Sequence, residues 1–267
     1  MIGIFDSGIG GLTVTKEVVA SSDYQLLYLG DTARTPYGNR SQDLIYQFTV
    51  QAVDYLFKHG CQLIIIACNT ASAEALRKIQ QEWLPKNFPD RRVLGVIRPV
   101  VEVAAVESIT GRIGVVGTRA TVNSGAYDRE LKQQKSSLKI FSQACPIVVP
   151  LVEEGLQNRP ETMKFIRNCL RPLKAKKIDT LILGCTHYPL LFKKFKQAAG
   201  KSIKVLDTGK IVADKLTEYL VKHPEIETKL TKGKGHRFLV TDVTATFKEN
   251  AQKWLGQDIK LEKIDLQ

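Results

Sequence analysis

"TLILGCTHYP", residues 180–189, and "LIIIACNTAS", residues 63–72, decide how this chain is built. Each is a short apolar run that stops at a cysteine and passes at once into small polar residues. Strands covered on both faces read as continuous apolar runs, whereas strands wetted on one face alternate. Similar runs recur at 2–5 (IGIF), 26–30 (LLYLG), 93–97 (VLGVI), 112–117 (RIGVVG), 147–152 (IVVPLV), 203–207 (IKVLD) and 237–241 (RFLVT). Helical periodicity fills the intervals, around 11–20, 42–59, 70–82, 99–107, 120–134, 161–170, 189–199, 209–222 and 244–255. Strands alternating with helices predict crossover units, hence an α/β fold of doubly wound, mainly parallel sheets. Ligands of such sheets bind outside the carboxyl ends of the strands, where both cysteines stand.

The chain repeats itself. "MIGIFDSGIG" (1–10) aligns with "RIGVVGTRAT" (112–121) at an offset of 111, and the two cysteine stretches align at 117. Order and spacing agree, so the expectation is two pseudo-symmetric α/β halves facing each other, each presenting one strand-end cysteine to a shared cleft. The chain beyond Asp207 is too short for a third domain and is expected to return to the first half. The expected domains are 1–97 plus 208–267, and 98–207.

Composition bounds the rest. A 267-residue chain that is 43% hydrophobic builds a core of ordinary size. No signal-peptide pattern opens it, and no apolar run nears the ~18 residues of a membrane helix. The expectation is a soluble, cytoplasmic protein without membrane association. Five cysteines, an odd number without a Cys-x-x-Cys pair, argue against both a disulfide framework and a structural zinc. Cys61, Cys145 and Cys169 are therefore expected to be reduced packing residues. The net charge is +12, and residues 164–204 carry eleven Lys or Arg against one acid, Asp179. Such a stretch is a solvated surface or a dock for a polyanion.

Five loops carry candidate chemistry. "FDSGIGGL" follows a strand with a glycine-rich turn, but Thr13 stands where a dinucleotide fingerprint needs glycine, and no Walker-type lysine follows. Asp6 suits an ammonium or a proton better than a phosphate. In "ACNTAS" the short polar residues cap a helix or hold a small polar ligand; "PYG" (36–38) and "GTRATV" (117–122) have the same character. In "GCTHYP", His187 stands two residues after Cys185. A single activated thiol with His187 as base would mean acyl transfer, but leaves Cys68 unexplained. Two thiols across one ligand suit inversion of a stereocentre: one face loses a proton while the other gains one, and the roles swap in reverse.

Taken in order, "FDSGIGGLTV", "GDTARTPYG", "ACNTAS", "GTRATV" and "GCTHYP" resemble the glutamate racemases of the aspartate/glutamate racemase superfamily, from residue 2 to about 215. The resemblance implies two α/β domains around a central site and no cofactor or metal. It makes Cys68 and Cys185 the proton donor and acceptor, assisted by Asp6 and His187. Substrate contacts carried over by motif are Asp6, Ser7, Tyr37, Gly38, Asn69, Thr70, Thr118, Thr186 and His187; Asp31 and Glu153 become supporting acids. Histidine at 187 favours glutamate over aspartate, since the resembling aspartate racemases tend to carry Glu there. The family supplies D-glutamate for peptidoglycan, a homodimer is expected, and association with DNA gyrase is described for some members. Arg98, Val100 and Thr208 depart from the family pattern and bear on domain packing.

Overall fold

The computed structural model describes residues 1–256 and 258–266. Gln257 and Gln267, included in the expected first domain, lie outside the described residues. Among the described residues, ten strands form two sheets. They are β1 (Ile2–Asp6), β2 (Leu26–Gly30), β3 (Leu63–Ile66), β4 (Arg92–Gly95), β5 (Arg112–Gly117), β6 (Lys139–Ala144), β7 (Thr180–Gly184), β8 (Lys204–Val205), β9 (Arg237–Val240) and β10 (Leu261–Lys263). The first sheet runs β10-β9-β2-β1-β3-β4, the second β6-β5-β7-β8. Every named pairing is parallel.

The orders β2-β1-β3-β4 and β6-β5-β7-β8 are the same arrangement used twice, with β1 matching β5 and β3 matching β7. The internal repeat is therefore structural. Returning chain supplies β9, which pairs with β2, and β10 beyond it.

Continuous apolar strands result from burial on both faces. Along β3, Leu63 and Ile65 enter one core cluster while Ile64 and Ile66 enter the other. Each fully buried aliphatic side chain contributes roughly 1.5–3 kcal/mol relative to exposure. Helices Leu12–Ser21, Ile97–Glu107 and Thr208–Lys222 share one core cluster with strands of both sheets, and the latter two touch β7. Arg98 is exposed and reaches Glu102 at 3.3 Å, whereas Val100 is buried.

Three expectations are corrected. The run 147–152 is not a strand but the helix Val148–Glu153. Pro150 falls in its first turn, where a missing N–H costs no intrahelical bond. The strand in this place is β6, "KIFSQA", a half-exposed edge that lacks the apolar signature. The expected helix 120–134 is two helices, Arg119–Asn123 and Ala126–Gln134, because Gly125 takes a left-handed conformation (φ 63°) between them. Cys145 and Cys169, expected to be separate reduced packing residues, form a disulfide. The helix Pro160–Ala175 packs against β6 and brings their Cα atoms to 6.0 Å, within disulfide range. Cys61, Cys68 and Cys185 are free. Among the described residues no helix is long and apolar enough to cross a membrane.

Candidate active site

Register brings the strand ends to one level. Asp6 pairs with Gly30 across β1 and β2, Phe5 with Ile66 across β1 and β3, and Gly117 with Gly184 across β5 and β7. The residues that follow these ends meet between the two domains.

Cys68 ends the β3 segment and caps the helix Asn69–Glu74; its sulfur accepts the Ala71 N–H at 3.5 Å. Its thiol donates to Ser7 Oγ at 3.4 Å. The residue is 4% exposed. Burial pushes its pKa up to about 12, helped by the negative charges of Asp6 and Cys185 and opposed by the Ser7 and Ala71 contacts. A buried thiol without a cation beside it keeps its proton.

Cys185, 6% exposed, follows β7. His187 Nδ1 lies 3.9 Å from its sulfur, and Nε2 donates to Glu153 Oε1 at 2.9 Å. Burial disfavours the imidazolium, but the Cys185 sulfur and the Glu153 carboxylate outweigh it and raise the histidine to about 10. Glu153 reaches His187 because it ends the unforeseen helix Val148–Glu153. From the other domain, the helix Ala245–Leu255 adds two contacts: Trp254 meets the imidazole edge-on, centroids 6.2 Å apart, and Asn250 Nδ2 donates to the Glu153 carbonyl at 3.0 Å.

Asp6 is fully buried between these groups. Its Oδ2 accepts the Gly8 N–H at 3.0 Å and its Oδ1 accepts the Thr186 hydroxyl at 3.2 Å. Burial raises its pKa; the charge of His187 and the bonds from Gly11, Gly8 and Thr186 oppose the rise. The glycine-rich turn exists for close approach. A Cβ on Gly10 would lie 2.3 Å from Thr186 Oγ1 and 2.7 Å from His187 Nδ1, across the domain boundary.

The remaining expected residues fall into two groups. Thr70 and Thr118 hydroxyls bond at 3.0 Å, and Thr121 joins both, at 3.2 Å from Thr70 and 3.0 Å from Thr118, in a knot that ties the domains. Gly38 sits against it: a Cβ there would come 2.7 Å from Thr118 Cβ. Tyr37 donates its hydroxyl to Asp31, whose carboxylate also takes Arg34 Nε at 2.6 Å and Thr241 Oγ1 at 2.9 Å. Asp31 therefore anchors the 31–38 loop and Tyr37 within it. Burial, then the Asp31 charge, pushes the Tyr37 phenol far above its usual range.

Sequence reasoning missed Tyr127, Thr121, Thr13, Asn250 and Trp254. Tyr127 donates to Asn69 Oδ1 at 2.6 Å, and Thr13 donates to the Thr186 carbonyl at 3.1 Å. Thr121 and Thr13 were within reach as parts of "GTRATV" and "FDSGIGGLTV"; Tyr127, Asn250 and Trp254 carry no local signal, since their partners are distant in sequence. Among the described residues no group of three or more His, Cys, Asp or Glu is arranged to hold a metal.

Two parallel-sheet domains thus meet over a pair of strand-end cysteines, Cys68 with Asp6 and Ser7 nearby and Cys185 with His187. The family model for Asp/Glu/Hydantoin racemase matches residues 10–216, and the chain belongs to that family. Within it the likeness is to glutamate racemases. That of Chlorobaculum parvum is 42% identical over 259 residues, 97% of this chain and 93% of the relative. A glutamate racemase isoform from Bacillus anthracis superposes with a TM-score of 0.92 at 34% identity, covering 100% of this chain and 97% of that one. The Francisella tularensis glutamate racemase, solved in complex with D-glutamate, gives 0.89 at 32%, covering 99% and 97%. The chain is thus an amino-acid racemase of the glutamate racemase kind.

Proposed function

We propose that this chain interconverts L- and D-glutamate without a cofactor, with Cys68 and Cys185 as two acid–base groups on opposite faces of Cα. The reading extends to a cytoplasmic homodimer that supplies D-glutamate for peptidoglycan. The observation that carries it is the placement of the two cysteines at matching strand ends of two like sheets, one protonated by burial and the other beside a cationic histidine. Glutamate as substrate is further supported by the D-glutamate complex of the Francisella relative.

In one direction the Cys185 sulfur, as thiolate, takes the Cα proton. The electron pair stays on Cα as a carbanion-like centre, and the Cys68 thiol delivers its proton to the opposite face. In the other direction the two sulfurs exchange roles. His187 supplies fixed positive charge at Cys185, and Ser7 and Asp6 steer the proton at Cys68. Asn69, Thr70, Thr118 and Thr186 offer donors for the carboxylates. Both cysteines are almost sealed, so substrate enters by parting residues 1–97 and 208–267 from 98–207. Reclosure excludes water and strengthens every charge interaction around the carbanion.

Purified protein incubated with L-glutamate in D2O, with nothing added, is expected to invert the amino acid and place deuterium at Cα. Removing a positioned proton-transfer group costs about 10²–10⁴-fold, so Cys68→Ser and Cys185→Ser should each abolish inversion almost completely. A wild-type rate in either variant refutes the two-thiol mechanism.

A second, compatible reading rests on the helices Pro160–Ala175 and Phe192–Ala199. They pack together and expose Lys164, Arg167, Arg171, Lys174, Lys193 and Lys196. Such a face suits docking of a polyanion.

A further inference from the structure

Tyr127 touches the neighbours of both cysteines without belonging to any motif. It lies in the first turn of the helix Ala126–Gln134 in the second domain and is buried. Its hydroxyl crosses the domain boundary to Asn69, the residue after Cys68, at 2.6 Å. Its ring lies beside Gly184, the residue before Cys185: a Cβ at Gly184 would come 3.0 Å from Tyr127 Cε2.

The direction of the Tyr127–Asn69 bond has a chemical consequence. A side-chain amide can turn either its oxygen or its nitrogen toward a partner. Burial, then the negative charge of Cys185, pushes the Tyr127 phenol far above its usual range, so it keeps its proton and donates it. The proton goes to Asn69 Oδ1, its hydrogen-bond acceptor among the described residues. With Oδ1 engaged, both hydrogens of Asn69 Nδ2 are turned away from Tyr127. Among the described residues no acceptor is bonded to that nitrogen, and it is not one of the sealed polar atoms. It is a donor without a partner and open to one.

We propose that Tyr127 is a positioning residue: its hydroxyl locks the Asn69 amide with the NH2 group facing the cleft, so that Asn69 donates to a substrate carboxylate. The inference rests on the proposed glutamate reading, since it needs an anionic acceptor in the site. The bond crosses the domain boundary, so the donor is set in the closed molecule. The contact is to a carboxylate that stays charged throughout the reaction. Its loss therefore weakens ground state and transition state alike, which raises KM and leaves kcat nearly unchanged.

The test is a double-mutant cycle of Tyr127→Phe and Asn69→Ala, with KM and kcat measured for each chain and folding checked by circular dichroism. Should Asn69→Ala not fold, Asn69→Ser takes its place. Tyr127→Phe is expected to raise KM about tenfold, the size of one hydrogen bond, with kcat within about threefold of wild type. In the Asn69 background the same change should have no further effect on KM. A wild-type KM in Tyr127→Phe overturns the proposal. So does an equal loss in both backgrounds, or a loss confined to kcat. Wild-type activity on glutamate is the internal control. If the wild type acts on another amino acid instead, the glutamate reading fails, while the same cycle on that amino acid still decides the role of Tyr127.

Discussion

At the scale of single residues, the two sulfurs proposed to carry catalysis differ through their neighbours. Cys68 has a hydroxyl and a buried carboxyl nearby; Cys185 has His187, whose pKa is raised by the Cys185 sulfur first and by Glu153 second. The pH dependence follows with a definite sign. His187 binds its proton more tightly folded (about 10) than free (6.5), so this linkage stabilises the fold fully below about pH 6.5 and is lost as pH rises through about 10. In Glu153→Gln the histidine loses one partner that raises it. The alkaline limb of log kcat/KM against pH, set near 10 by His187, should then move toward neutrality. The loss of unfolding free energy between pH 7 and 10.5, read by urea denaturation, should shrink as well. An unmoved limb would mean that Glu153 does not hold the proton on His187.

At the scale of elements, strand-to-helix turns do most of the positioning. The turn after β1 brings Gly10 against Thr186 and His187, closer than any Cβ permits. The obstruction lies between the domains rather than within one. Gly10→Ala should therefore keep its circular dichroism and lose kcat/KM by at least about 100-fold, as a displacement of about 1 Å in a closed site does. Near-normal turnover in Gly10→Ala would mean that catalysis does not need this closure. The helix Val148–Glu153 makes the complementary point. "IVVPLV" reads as a buried strand by composition, yet as a helix it places Glu153 beside His187.

For the whole molecule, two like domains sandwich one small site, and a net charge of +12 is concentrated on the second domain's outer helices. Binding of a generic duplex DNA fragment, followed by anisotropy, should weaken linearly in log K against log salt with a slope of several units. A slope near zero, or no binding at 50 mM salt, would leave the basic face as solvated surface only.

Sequence by itself determined the α/β alternation, the internal repeat and the return of the chain to the first sheet, and it singled out the residues proposed for proton transfer. These are local or periodic properties: continuous apolar strands, glycine turns and motif spacings survive in one dimension. Cys68, Cys185, Asp6 and His187 stand at or just after strand ends, and parallel topology sends all strand ends to one edge. Tertiary structure alone decided the partners. Tyr127 meets Asn69 across 58 residues and Thr186 meets Asp6 across 180. Cys145 meets Cys169 through a helix packed on a half-exposed edge strand. No pattern along the chain encodes which side chains face each other once two domains close. That is set by packing and the register of the sheets.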